Sequence, residues 1–325
     1  MDEFNVTPEP DRQEPPNTEN EHIVGQTGET EPLISPIAAA FIGLIGGFIL
    51  YQFGGALLTI LIFGFDIEAA PVNGLRLLTI AGQLLFLLLP ALLFTSWIYR
   101  KVSSIIYIRI PKLSEIAIFT LGILILTPML QSYLYIQNYF INQLAQSSSL
   151  INSVKILMDK LNELIEKTFG NILRADNLPE ILLVVTAVAI IPAICEEVMF
   201  RGFIQRSFEQ KLKPFMAALI TAIFFSLYHF NPYGILPLMI LGLYFGFAAY
   251  TSKTLLIPIL LHFINNFAAV MLYIIIGDDE LISSNVVDPE ALSSSVIYFF
   301  ILMLLFIGVI FLIKRFYSRT KMVQV

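Results

Sequence analysis

Residues 192–201 read Pro-Ala-Ile-Cys-Glu-Glu-Val-Met-Phe-Arg, which sets two adjacent carboxylates and a guanidinium inside an otherwise apolar stretch. A charge at the centre of a bilayer costs from about 2.5 kcal/mol upward, so ionisable groups at that depth mark candidate functional sites. Glu197 and Arg201, four residues apart, stack on one helical face and can form a charge-assisted pair in low dielectric, which makes Glu197 the structural carboxylate. Glu196 lies about 100° around the helix and is left to face another element. An incompletely paired carboxylate in such surroundings suits a general base that takes a proton from water. Pro192 removes a backbone N–H and opens the helical ladder near Val188, so a bend or polar notch is expected beside the site.

Two of the three histidines, His229 and His262, also fall in apolar stretches, whereas His22 lies in a polar tail. If the helices holding Glu196 and His229 form a hairpin turning near Leu212 and Lys213, each residue is about 16 positions from the turn, roughly 25 Å along a regular helix. They reach the same height. His262 and Asn266 share one helical face, and both can donate hydrogen bonds. A base for water and two fixed donors for an oxyanion are the parts that acyl-transfer hydrolysis requires. Each part also has a plainer reading: Glu197 with Arg201 as a packing ion pair, and the histidines with Asn265 and Asn266 as interhelical hydrogen-bond donors. What favours convergence is the scarcity of other ionisable residues in the apolar stretches.

Two glutamates and two histidines could instead hold Zn²⁺. A catalytic zinc site uses three protein ligands and an open position, often with a separate base. With Glu197 committed to Arg201, only Glu196, His229 and His262 remain, no base is left over, and no His-Glu-x-x-His pattern is present. The expectation is therefore no cofactor, with zinc on those three residues as the alternative. The single cysteine, Cys195, cannot close an intramolecular disulfide or complete a Cys/His structural zinc site.

The elements that would position these groups follow from composition. Of 325 residues, 57% are hydrophobic and 14% charged, with a mean hydropathy of +0.78. That excludes a soluble enzyme, and a net charge of −6 without a basic block excludes a nucleic-acid partner. Eight apolar stretches of spanning length recur, near 35–63, 76–99, 115–137, 179–205, 214–230, 233–251, 254–277 and 294–314. The predicted fold is an all-α membrane protein, an eight-helix transmembrane bundle in contact with lipid. Its expected parts are a disordered acidic tail over 1–32, spans one to three over 33–138, an outer loop over 139–178, a core over 179–277, and a last loop, span and basic tail over 278–325. The tail carries nine acids against one base through residue 31, and it lacks the basic start and early apolar run of a signal peptide. Within the outer loop, Leu150, Val154, Leu157, Leu161, Leu164 and Ile165 recur at helical spacing, which predicts an amphipathic helix on the outer surface.

Lysines and arginines set the orientation. Arg100, Lys101, Arg109 and Lys112, then Arg206, Lys211 and Lys213, then Lys253, and finally Lys314, Arg315, Arg319 and Lys321 all fall in connections on one side. The other side receives Asp66, Glu68 and Asp278-Asp279-Glu280. Both termini are expected in the cytoplasm, and the basic turns beside spans four and seven favour an opening on that side.

Glu196-Glu197-x-x-x-Arg201, Phe225-x-x-x-His229 and His262-x-x-x-Asn266, in that order, resemble the three motifs of the CPBP family of intramembrane proteases, also called the CAAX protease and bacteriocin-processing or Abi family. The resemblance covers roughly 179–275. It implies an intramembrane endopeptidase acting on a peptide or membrane-protein substrate in the plasma membrane of a prokaryote. Glu196 and His229 would activate water, His262 and Asn266 would form the oxyanion hole, Phe225 would pack beside His229, and Arg201 would support the site through Glu197. Two other classes compete. A proton-coupled transporter would show two related halves, which the sequence does not. A non-catalytic immunity or scaffold protein would bind partner helices without turnover.

Overall fold

The computed structural model describes residues 32–66, 69–276 and 289–322. Every regular element among them is helical. In chain order these are α1 (Pro36–Phe63), α2 (Val72–Tyr99), α3 (Leu113–Ser147), α4 (Ser149–Leu173), α5 (Leu178–Glu209), α6 (Pro214–Tyr228), α7 (Ile235–Ser252), α8 (Leu256–Ile276) and α9 (Pro289–Met322). Seven of the described helices, all but α4 and α6, are long and apolar enough to cross a bilayer. The all-α membrane architecture therefore agrees with composition. The fifth expected span, 214–230, is a helix of 15 residues, short of the roughly 20 that a full crossing takes. The acidic tail through Glu31, Glu68, and the Asp278-Asp279-Glu280 loop lie outside the described residues.

Helix starts follow local chemistry. Ser35, Ser148 and Asn177 accept backbone N–H groups at the starts of α1, α4 and α5, and Pro36 and Pro214 occupy first-turn positions where an N–H has no partner. The third span, predicted to end near 137, instead continues as α3 to Ser147, because residues 138–147 contain neither Pro nor Gly to stop it. Extended backbone at Ser148 makes the break, and α4 follows at once. The stretch predicted as an outer loop is thus mostly helix, and α4 leaves Leu150, Val154, Leu157, Leu161 and Leu164 exposed.

Two apolar cores build the bundle. One gathers Leu44, Leu87, Phe200, Phe203 and Phe225 from α1, α2, α5 and α6. The other gathers Phe119, Leu126, Phe245, Leu261 and Val309 from α3, α7, α8 and α9. At one end of the bundle the basic connections meet. Thr254 Oγ1 donates to Arg109 O at 2.7 Å, Leu255 N donates to Tyr107 O at 3.0 Å, and the Arg206 guanidinium lies 5.2 Å from the Tyr107 ring. There Arg109 holds Glu115 through Nη1 and Nη2, and Tyr317 near the end of α9 donates to the same carboxylate. The four basic segments grouped by sequence thus share one end.

At the other end, α4 is tied down three times, once by Tyr273 of α8, which donates to Gly170 O at 3.3 Å. Tyr233, in the α6–α7 turn, donates to Asp159 Oδ1 at 2.5 Å. Arg76 of α2, buried although it stands at the start of a span, donates from Nε to Ile172 O at 2.9 Å and from Nη2 to Arg174 O, capping the C-terminal carbonyls of α4.

Candidate active site

Pro192 has no N–H for the carbonyl of Val188, and the structure shows what takes its place. Asn266 Nδ2 of α8 donates to Val188 O at 3.0 Å. The polar notch expected there is a joint between α5 and α8. Around it α5 is irregular: π-helical turns over Thr186–Ile190 and Val198–Gln205 flank the α-helical stretch Ile191–Glu197. The depth estimate for Glu196 and His229 assumed regular helices, and despite the π turns both residues line the same cavity.

Glu197 and Arg201 pair as their spacing requires, with Arg201 Nη1 donating to Glu197 Oε1 at 2.7 Å and both side chains fully buried. The pair has a further partner that spacing alone did not show. His262 Nδ1 lies 2.8 Å from the same Oε1 and donates to it. The three groups occupy the seam between the two cores. The Arg201 guanidinium sits 4.5 Å from the Phe225 ring and 5.3 Å from the Phe245 ring, while His262 stacks on Phe245 at 5.2 Å. Arg201 Nη2 also donates to Gly242 O at 3.0 Å, and Gln205 Nε2 to Gly246 O at 3.0 Å. The two glycines make this approach possible: a Cβ at 242 would stand 3.2 Å from Arg201 Nη2, and one at 246 would stand 2.7 Å from Gln205 Oε1.

Glu196 turns away from this cluster toward α2. Gln83, buried in α2, donates from Nε2 to Glu196 Oε1 at 3.2 Å and to Tyr51 Oη of α1 at 3.1 Å. Each hydrogen of the amide thereby finds an acceptor. Glu196 Oε2 makes no hydrogen bond to the described residues. Sequence reading overlooked Gln83 and Tyr51, although an amide inside an apolar stretch was the available signal.

His229 follows the last residue of α6. Its Nδ1 lies 2.7 Å from Phe225 O, and because a carbonyl only accepts, Nδ1 carries the proton and Nε2 is the nitrogen left to exchange one. The Phe225 ring lies 4.8 Å from His229 and 6.0 Å from His262, so it stands between the two histidines and beneath Arg201.

Glu196, His229, His262 and Asn266 all line one cavity of about 1270 Å³, whereas Glu197 and Arg201 do not reach it. The side chains singled out for chemistry are brought together; of those singled out for support, Phe225 lines the same cavity, and Glu197 and Arg201 lie behind it. The cavity wall also includes Asn162, Glu166 and Phe169 of α4, Gln131 and Asn138 of α3, and the Asn231–Gly234 turn. No lysine or arginine is among the lining residues. Among the described residues, no three His, Cys, Asp or Glu side chains stand together as a metal-binding group.

Residues 178–268 match the family model described as Rce1-like, type II CAAX prenyl endopeptidase. This segment resembles that family. It runs from the start of α5 into α8 and contains all three motifs, in agreement with the resemblance drawn from them. No curated protein and no solved structure matches the chain. The Rce1-like segment supplies Glu196, His229, His262 and Asn266, while Gln83, Tyr51 and the α4 wall come from outside it.

Proposed function

We propose that the chain is an intramembrane endopeptidase of the CAAX protease type that hydrolyses peptide bonds with water activated by Glu196 and His229. The supporting observation is the division of the two glutamates. Each has one carboxylate oxygen without a hydrogen bond, but Glu196 lines the cavity and is held only by Gln83, whereas Glu197 does not reach it and is buried between Arg201 and His262.

Water attacks the carbonyl carbon of the scissile bond and gives its proton to Glu196 Oε2, while Oε1 stays on Gln83. His229, through Nε2, orients the water and carries the proton onward to the departing amine as the C–N bond breaks. Asn266 and His262 meet the oxyanion: Asn266 with the Nδ2 hydrogen not used on Val188 O, and His262 with Nε2. With Nδ1 already donating to Glu197, donation from Nε2 takes a doubly protonated ring, whose charge the developing oxyanion would balance, since Glu197 already faces Arg201. The reading needs no metal at any of these positions.

The test compares membranes from cells expressing the wild type and Glu196→Ala by mass spectrometry of peptide termini. Precursors that accumulate, and termini that vanish, only in the variant are the expected result. Identical termini in both samples would sink the reading.

A further inference from the structure

The cavity has a position along the bundle as well as a chemistry. Its walls come from α4, the second half of α3, the first half of α2 and the α6–α7 turn, and none of its lining residues belongs to the connections that carry Arg100 to Lys112, Arg206 to Lys213 or Lys253. Those connections meet at the opposite end, where Thr254 bonds Arg109 and Arg206 covers Tyr107. Helix rise gives the depth independently. α5 ends at Glu209 and α6 begins at Pro214, so at 1.5 Å per residue Glu196 and His229 each stand about 20 Å from that basic turn, while His262, six residues into α8, stands about 9 Å from the Lys253 end, which puts the site near the middle of a hydrocarbon layer about 30 Å thick. Short basic connections remain on the cytoplasmic side.

We infer that the site, near the middle of the membrane, opens toward the non-cytoplasmic face, past α4. Its substrates are then polypeptide segments presented on that face: a translocated loop or tail, or the outer end of a membrane-spanning helix. It departs from the expectation, drawn from the basic turns beside α5 and α8, of an opening on the cytoplasmic side. Glu166, in the α4 part of the wall, adds negative charge to a lining that holds no lysine or arginine, so neutral or cationic segments fit and anionic ones do not. The inference rests on the peptidase reading for its substrate class and on geometry for its direction.

Cysteine labelling tests the direction without any turnover. The native Cys195 is buried and is replaced by serine as background. Single cysteines are then placed at Asp66 in the α1–α2 connection, at Lys211 in the basic turn and at Glu166 in the cavity wall, and a membrane-impermeant maleimide is applied to spheroplasts before and after permeabilisation. D66C and E166C should label in intact spheroplasts, and K211C only after permeabilisation. Labelling of K211C alone in intact spheroplasts would overturn the orientation. Labelling of D66C but not E166C, with E166C reactive once the protein is denatured, would overturn the opening past α4. Labelling as expected, with the peptide termini of wild-type membranes unchanged from those of Glu196→Ala, would refute the peptidase reading and leave the orientation standing.

Discussion

His262 Nδ1 and Arg201 Nη1 converge on one oxygen, Glu197 Oε1, at 2.8 and 2.7 Å. A carboxylate shared between a guanidinium and an imidazole in a fully buried seam has little freedom to move. Its place in the site is to fix His262, and through it the direction in which the second ring nitrogen faces the cavity. The neighbouring Glu196 differs by one residue in sequence and wholly in circumstance.

The first prediction separates those carboxylates. Glu196→Ala should lower cleavage by about 10²- to 10⁴-fold, the usual contribution of a general base, with thermal unfolding in detergent close to that of the wild type. Retained proteolysis in this variant would remove Glu196 from the mechanism.

Glu197→Gln and Arg201→Leu should behave differently. Each leaves a buried partner without its counter-charge, which costs about 3–5 kcal/mol, so folded yield and activity should fall together. A Glu197→Gln protein that is stable in detergent but inactive would mean that the two glutamates have been assigned in reverse.

Gln83 acts through Glu196. Gln83→Met keeps the volume and removes the donor, so kcat should fall about tenfold, the scale of a hydrogen bond to a charged group, with KM nearly unchanged. In a Glu196→Gln background the same substitution should cause no further loss. Equal losses in both backgrounds would reduce Gln83 to packing.

The joint between Asn266 and Val188 can be tested by a double-mutant cycle. Asn266→Leu leaves a carbonyl without a donor and should cost about 1–3 kcal/mol of stability. Restoring the backbone donor with Pro192→Ala should shrink that cost, since Val188 O then has a helical partner. Additive losses would show that the side-chain bond contributes nothing of the kind.

Acid should loosen α4. Burial pushes the Asp159 carboxyl up, but the hydrogen bonds from Lys155 and Tyr233, with the Lys155 charge, outweigh it and hold the group below the usual aspartate range. A depressed carboxylate stabilises the fold above its unfolded-state value, about pH 4, and that contribution fades as pH falls through the lower folded value. The difference in Tm between wild type and Asp159→Asn should therefore be largest near neutrality and vanish in acid. A constant difference from pH 7 to pH 3 would rule out the carboxylate as the source.

Local periodicity carried much of the site. Four-residue spacing shows the Glu197–Arg201 pair, a missing N–H shows the notch at Val188, and counting from a turn shows that Glu196 and His229 share a height. Contacts made by packing were beyond such reasoning. His262 reaches Glu197 across 65 residues of chain, and Gln83 reaches Glu196 across 113, so neither contact leaves a spacing signature. Helix lengths were legible only where a breaker ends them, which is why α3 ran ten residues past its predicted end at 137, to Ser147. The π turns of α5 have no counterpart in hydrophobic pattern, since one extra residue per turn leaves the stretch as apolar as before.

The contribution of α2, α3 and α4 to the cavity wall bears on what could be cut from this chain and still work. A fragment beginning at Leu178 would keep every motif and lose the donor to Glu196 and the α4 wall of the cavity. Motif and machine differ in extent here, and transplanting the first would not transplant the second.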